Sequence, residues 1–149
     1  MDNAGNPERA SAALVRRCGV VAVVSRSNRL LVIRRSSHVV APGAVCFPGG
    51  GIESGETEPA ALVREIDEEL GAAVLPIRRL WQSMTAWDVE LSWWLADLDA
   101  MAVLAPNPAE VASVHWLAPD ELLELPELLS SNREFLQAVL RGEIRLEES

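Results

Sequence analysis

The chain contains no lysine, and all 13 of its basic residues are therefore arginines. Any anionic ligand must then be bound by guanidinium groups, backbone N–H groups or a metal ion. Long apolar segments are also absent, since runs such as residues 19–24 are far too short to cross a bilayer. The first 17 residues lack the apolar core of a signal peptide. We therefore expect a cytoplasmic protein with no membrane partner.

Acidic residues are abundant, whereas cysteine is scarce. The formal net charge is −9, which disfavours a nucleic acid polymer as partner, because nucleic-acid binding relies on basic patches. The two cysteines, Cys18 and Cys46, do not have the spacing of a metal or redox motif. Two free thiols in a reducing cytosol are therefore favoured over a disulfide.

The 149 residues, nearly half of them apolar, fit a single globular domain. We expect a flexible arm over residues 1–14 and one domain over residues 15–145. Runs of β-branched residues predict strands, and the capping residues Thr57 and Gly71 predict a helix between them. The predicted strands are 18–25, 29–35, 45–47, 74–86, 89–97 and 112–117, the first two forming a hairpin, and the predicted helices are 58–70, 119–125 and 131–140. This mixture predicts an α/β fold, a sandwich built on a mixed sheet.

The first predicted helix concentrates acidic residues on one side. At about 100° per residue, Glu65, Glu68 and Glu69 point in similar directions, beside an apolar stripe that would dock on the sheet. Like charges at this spacing destabilise a helix by about 0.2–0.5 kcal/mol per pair. One explanation is a solvated acidic face in which Arg64 pairs with Glu68. The other is a divalent cation, since Mg²⁺ and Mn²⁺ prefer oxygen ligands.

The loop before this helix decides between the two explanations. Three consecutive glycines, 49–51, let the backbone approach a ligand closely, and they stand at a fixed distance from the acidic residues. Read together, the residues are Gly50, five others, Glu56, seven others, and then Arg64-Glu65-Ile66-Asp67-Glu68-Glu69-Leu70-Gly71-Ala72. This pattern matches the Nudix box at every specified position, and the surrounding order of strands and helices is also similar. The chain therefore resembles a Nudix hydrolase.

The resemblance implies an α/β/α sandwich that hydrolyses a nucleoside diphosphate linked to another moiety. It implies Mg²⁺, or alternatively Mn²⁺, bound by Glu65 and Glu69, with Glu68 as a third ligand and the carbonyl of Gly49 as a backbone ligand. Arg64 is placed with the catalytic residues, because in the family it orients the loop and the helix. Many relatives pair, so a homodimer is a possible state of this chain.

The resemblance does not assign the general base, the carboxylate that accepts a proton from water. A box glutamate, Glu68 or Glu69, is one candidate. Glu110 is the other, because it stands just before a predicted strand and looks like a glutamate that reaches the metals in many relatives. An exposed loop carboxylate is an equally compatible interpretation of Glu110.

Three residues outside the box are candidate substrate contacts. Arg34 and Arg35 end the second strand, and strand alternation places them on opposite faces, so one of them is a candidate for contact with a phosphate, whereas a solvated or paired arginine is the slightly favoured interpretation of each. Trp87 lies at a predicted hairpin tip and could stack on a base. Segment 30–50 partly resembles the extra motif of coenzyme A pyrophosphatases. However, Val39 stands where that motif has an arginine, so coenzyme A is kept only as an alternative substrate.

Functions of other classes are also compatible with the fold. A non-catalytic Nudix-fold sensor or interaction domain usually has eroded box carboxylates, whereas all of them are present here. Isomerases and mismatch-glycosylase-type Nudix domains usually need extra catalytic segments or partner domains, for which a chain of this length has little room. The sequence therefore favours a hydrolase that acts on a small nucleotide-type substrate.

Overall fold

The computed structural model describes residues 17–147, and the arm expected over residues 1–14 lies outside this range. The strands are β1 (Arg17–Val23), β2 (Ser25–Arg26), β3 (Arg29–Arg35), β4 (Val45–Cys46), β5 (Gly49–Gly51), β6 (Val74–Met84), β7 (Val89–Leu98) and β8 (Val111–Leu117). The helices are α1 (Glu58–Leu70), α2 (Pro119–Leu123) and α3 (Ser130–Leu140). The predicted elements occur in the predicted order, but the first predicted strand is divided into β1 and β2, and glycines 49–51, which the sequence predicts as a loop, pair with β1 as strand β5. Among the described residues, no helix has the length and apolar character needed to cross a membrane.

The strands form two sheets. One is mixed and has the order β5-β1-β7-β6, in which β1 and β7 are parallel and both edge strands are antiparallel to their neighbours. The other is antiparallel, with β2 and β4 on one side of β3 and β8 on the other. The predicted mixed sheet is confirmed. The second sheet places the segment before β8 next to the end of β3.

The predicted hairpin of the first two strands is only partly correct. Its turn, Ser27-Asn28, has positive φ angles of 52° and 65°, as two-residue hairpin turns favour. However, only β2 pairs with β3, whereas β1 lies beside β7 in the mixed sheet. The run Val20–Val24 is buried throughout, which is typical of a strand covered on both faces. A local run of β-branched residues does not show which strand will be its neighbour.

Helices cover both sides of the sheets. Side chains of β1 alternate, so that Val20 and Ala22 face a core shared with α1, and Val21 and Val23 face a core shared with α3. Helix α1 contributes Ala61, Leu62, Ile66 and Leu70 to the first core, and α3 contributes Phe135, Leu136 and Ala138 to the second. The predicted α/β/α sandwich is confirmed.

An aromatic cluster fixes helix α3 on its sheet. The rings of Trp93 and Phe135 stack with centroids 4.4 Å apart and an interplanar angle of 4°. Phe47 packs edge-on against both rings at 5.8 and 5.5 Å. This packing holds the start of α3 beside β4, where Asn132 Oδ1 accepts a hydrogen bond from the Phe47 N–H at 2.8 Å.

Helix α1 is capped at both ends. The Thr57 hydroxyl accepts a hydrogen bond from the Ala60 N–H at 3.2 Å. At the other end Gly71 adopts a left-handed conformation with φ of 61°, and its N–H donates to the Asp67 carbonyl. The predicted helix bounds are confirmed, and they fix which acidic side chains face β5.

Candidate active site

Three carboxylates meet beside strand β5. Oxygen atoms of Glu65, Glu69 and Glu110 all lie within 4.8 Å of one another. Glu65 and Glu69 are one turn apart on α1, which places them on the same side of the helix. Glu110 comes from the segment that enters β8. The structure therefore brings together two predicted box ligands and the candidate from outside the box.

The environment of Glu65 and Glu69 opposes ionisation of their carboxyl groups. Glu69 is 6% exposed, and burial raises the pKa of its carboxyl to about 8. The hydrogen bond from Gly49 lowers this pKa, while the charges of Glu65 and Glu110 raise it further. Burial also raises the pKa of Glu65, against a hydrogen bond from Arg64. A positive charge among the three carboxylates would favour their ionised forms and offset the effect of burial.

Strand β5 brings backbone groups to the acids. The Ala22 N–H donates to the Pro48 carbonyl at 2.8 Å, and hydrogen-bonded pairs alternate along an antiparallel ladder. The N–H and carbonyl of Gly49 therefore both turn away from β1. The Gly49 N–H donates to Glu69 Oε1 at 3.1 Å, which orients that carboxylate.

Arg64 links helix α1 to the end of strand β5 and to the loop that follows this strand. Its Nε donates to Glu56 Oε2 at 2.6 Å, and its Nη2 donates to Glu56 Oε1 at 2.8 Å. The same guanidinium donates to the Gly51 carbonyl at 2.9 Å and to Glu65 Oε2 at 3.0 Å. The hydrogen bond from Arg64 lowers the pKa of Glu56 to about 2. Arg64 thus holds the loop and one oxygen of Glu65 in place without entering the acidic cluster itself.

Glu68 is not among the three clustered carboxylates of the described chain. Its side chain is 49% exposed and lies 3.3 Å from Arg64 Nη1. This is the i, i+4 pair that the solvated-face explanation predicted. The acidic side of α1 therefore divides into a buried Glu69, a partly buried Glu65 and an exposed Glu68 that is paired with arginine.

A cavity of about 340 Å³ shares strand β5 with the acidic cluster, although none of the three carboxylates is part of its described lining. It is lined by β5, by parts of β1 and β7, and by the start of α3 including Asn132. Cys46 also lines it, and burial raises the pKa of this thiol to about 11. A larger groove of about 620 Å³ lies between β2 and the C-terminal segment. Its described lining contains no predicted site residue, so the smaller cavity is the candidate substrate site.

The two predicted arginines have different surroundings, and the pairing of β3 with β8 shifts register between them. Arg35 lines the cavity, its Nε donates to the Val40 carbonyl at 2.6 Å, and its charge lowers the pKa of Glu69. Arg34 is not part of the described lining, and its Nη1 donates to the Gly43 carbonyl at 2.7 Å. Of the two, only Arg35 is thus among the residues described as lining the cavity.

Trp87 lies at the turn between β6 and β7 and is 79% exposed. Its carbonyl accepts a hydrogen bond from Arg17 Nη2 at 3.2 Å, and Arg17 lines the cavity. The backbone of Trp87 thus lies next to a residue of the cavity lining, whereas Trp87 itself is not part of the described lining.

Sequence reasoning missed three residues near the site. Asn107 and Ser36 hold the backbone around Glu110, and Asn132 closes the cavity at the start of α3. An asparagine or serine in a loop carries no spacing pattern, so the sequence offers no signal for these contacts.

Comparison with known proteins identifies the family of this chain. A family model described as the NUDIX domain matches residues 15–139. The RNA pyrophosphohydrolase of Erythrobacter litoralis is 29% identical over an alignment 154 positions long, which covers 85% of this chain and 88% of that protein. The CTP pyrophosphohydrolase of Escherichia coli is 29% identical over 111 residues, covering 72% of this chain and 79% of that protein.

A solved structure shows the same fold. The MutT protein of Methanosarcina mazei superimposes with a TM-score of 0.73 at 21% identity, covering 85% of this chain and 94% of that one. The family model spans most of the chain, including the glycine loop, helix α1 and the segment that carries Glu110. The chain therefore belongs to the Nudix hydrolase family.

Proposed function

We propose that this Nudix hydrolase cleaves the pyrophosphate bond of a nucleoside diphosphate linked to another moiety, with a divalent cation held by Glu65, Glu69 and Glu110. The observation that carries the proposal is the convergence of these three carboxylates within 4.8 Å, beside a cavity of about 340 Å³. The names of the two relatives, RNA pyrophosphohydrolase and CTP pyrophosphohydrolase, support a pyrophosphate bond as the target.

The residues present fit Mg²⁺, or Mn²⁺, by their chemistry. Three carboxylates supply the oxygen atoms that these ions prefer, and a cation would offset the burial that raises the pKa of Glu69. The carbonyl of Gly49 turns away from β1, and its oxygen is proposed as a further ligand of the cation. Glu68 would have to leave Arg64 to join them, so its role as a ligand is the weakest part of the proposed set.

In the proposed reaction, water attacks phosphorus, the bridging P–O bond breaks, and the leaving phosphate takes the electron pair of that bond. A bound cation would supply charge neutralisation and a water of lowered pKa. A carboxylate must accept the proton of the water. Glu68 is proposed for this role, because Glu69 is buried and accepts the Gly49 N–H, and Glu110 is proposed as a ligand of the cation. Glu110 would take this role only if the cation were held without it.

The cavity would hold the nucleoside part of the substrate, since a volume of a few hundred Å³ is typical of small-molecule sites. Arg35 would donate to a phosphate, and Trp87 could stack on a base. Coenzyme A gains no support from the geometry, because Arg34, which falls in the coenzyme A motif, is not part of the described lining of the cavity. A non-catalytic role is disfavoured by the complete set of clustered acids.

The test is hydrolysis with Mg²⁺ of a panel of nucleoside triphosphates, ADP-ribose, dinucleoside polyphosphates, nucleotide sugars and coenzyme A. We expect release of a phosphorylated product from at least one compound. Glu69→Gln should slow that release about 100-fold, a size plausible for loss of a metal ligand. Asp67→Asn is the matched control, because Asp67 is an exposed acid on the same helix. Wild-type turnover in Glu69→Gln would remove Glu69 from the proposed site.

A further inference from the structure

The segment between β7 and β8 is fastened to the last turn of helix α1 by its backbone. The Asn107 N–H donates to the Glu69 carbonyl at 2.8 Å, one of the carbonyls that a helix leaves unpaired at its C-terminus. The Asn107 carbonyl in turn accepts the N–H groups of Glu110 and Val111, at 2.9 and 2.8 Å. The backbone of Asn107 therefore joins the helix that carries Glu69 to the turn that carries Glu110.

The oxygen and the nitrogen of the Asn107 side-chain amide have different partners. Its Oδ1 accepts the Ala109 N–H at 3.1 Å, a local hydrogen bond of the kind that asparagine and aspartate form in turns. Its Nδ2 lies 3.4 Å from Glu110 Oε2 and 3.5 Å from the Glu68 carbonyl. The oxygen thus shapes the turn, whereas the nitrogen presents a donor to the carboxylate.

Ser36 holds the same turn from the opposite side. Its N–H donates to the Glu110 carbonyl at 3.0 Å, and its hydroxyl donates to the Ala109 carbonyl at 2.9 Å. Ser36 is 4% exposed. The backbone of Glu110 is therefore fixed without the Asn107 amide, so the effect of Nδ2 on the Glu110 carboxylate can be separated from folding of the turn.

We infer that Asn107 is a positioning residue, whose amide N–H holds the Glu110 carboxylate against Glu65 and Glu69. Three carboxylates within 4.8 Å repel one another, and Glu110 is partly exposed and enters from a loop. Without a donor beside it, this carboxylate turns toward water and leaves the group. The inference rests on the proposed function, because Glu110 matters only if the three acids act together.

Two substitutions separate positioning from turn formation. Asn107→Ala removes the donor, and we expect Mg²⁺ to bind about 10-fold more weakly by calorimetry, the lower end of the range for residues that orient metal ligands. Asn107→Ser keeps an oxygen for the Ala109 N–H but has no amide donor for Glu110. We expect it to bind Mg²⁺ as weakly as Asn107→Ala does. If the residue served only the turn, serine would largely replace it, so wild-type affinity in Asn107→Ser overturns the inference.

A double-mutant cycle with Glu110→Gln completes the test, because only residues that act through each other depart from additivity. We expect Asn107→Ala to change the Kd for Mg²⁺ less than about 2-fold once Glu110 is glutamine. Gln82→Ala is the matched control: it removes an amide that donates to Ser92 Oγ at 3.1 Å on the opposite edge strand, and should leave the Kd unchanged.

The outcomes also distinguish this inference from the proposed function. If Glu110→Gln weakens Mg²⁺ binding and Asn107→Ala does not, or if the two effects simply add, only the positioning role of Asn107 falls. If the wild-type protein neither binds Mg²⁺ nor hydrolyses any compound of the panel, both the proposed function and the inference about Asn107 are wrong.

Discussion

At the scale of single residues, the Glu65 carboxylate has room beside β5 only because position 50 has no side chain. A Cβ added at Gly50 would collide with the Glu65 carboxylate, whereas a Cβ added at Gly51 would meet no atom within 4 Å. Gly50 has no positive φ, so the requirement comes from close approach and not from backbone conformation. The box glycine is thus explained by the acid that it faces.

Gly50→Ala should therefore impair metal binding more than folding. The colliding atoms are the end of a flexible side chain, which can swing away at little cost to stability. We expect the affinity for Mg²⁺ to fall roughly 10- to 100-fold, with a thermal midpoint within a few degrees of wild type. Calorimetry and circular dichroism would measure the two quantities. Gly51→Ala should have a clearly smaller effect, and equal losses in both variants would contradict this explanation.

At the scale of elements, the ends of helix α1 decide which neighbours the acids have. Gly71 ends the helix in a left-handed conformation, and the Ala105 N–H then donates to the Leu70 carbonyl at 2.7 Å. This contact begins the segment that leads to Glu110. A longer helix would displace the segment, so the C-terminal cap takes part in building the acidic cluster.

Gly71→Ala should destabilise the protein by about 1–2 kcal/mol for the left-handed backbone alone. The Ala105 Cβ, 3.1 Å from the added methyl group, should increase this loss. Gly55→Ala is the matched control, because Gly55 also has a positive φ, of 84°, but no atom lies within 4 Å of the added Cβ. Urea unfolding would measure both variants. A smaller loss in Gly71→Ala than in Gly55→Ala would show that the contact with Ala105 has no cost.

At the scale of the whole molecule, folding brings acids from distant parts of the chain into a partly buried group. The packing of β8 against β3 and of α1 against β5 forces Glu65, Glu69 and Glu110 together. Their ionisation is therefore coupled to the stability of the entire domain, and metal binding should be coupled to it as well.

The stability of the metal-free protein should fall as the pH rises from about 4.5 to about 8. The pKa of Glu69 is raised from 4.5 to about 8 in the folded state, so the folded protein binds more protons than the unfolded chain between these values. Stability then decreases with pH from about 4.5 to about 8, by a few kcal/mol at most for a shift of this order. Thermal unfolding in EDTA at several pH values would measure the decrease.

Added Mg²⁺ should oppose this decrease, because the ion binds the ionised carboxylates. The increase in melting temperature caused by Mg²⁺ should therefore grow from pH 5 to pH 8. Glu69→Gln should remove most of the pH dependence in EDTA. A wild-type protein whose stability in EDTA rises across this window would contradict the assigned environment of Glu69.

The sequence alone determined the features that depend on local spacing. The bounds of α1, its caps at Thr57 and Gly71, and the placement of Glu65 and Glu69 on one side follow from a helical repeat of about 100° per residue. The spacing of the box was enough to identify the family.

Only the tertiary structure decided which of these residues meet. It joined Glu110 to the box acids, left Glu68 on Arg64, and paired β1 with β7 instead of β3. Such contacts depend on which strands become neighbours. The residue pattern of one segment does not specify which distant segment will pack against it. The role of Asn107 belongs to this class, because its amide has meaning only once the turn before β8 is packed on the end of α1.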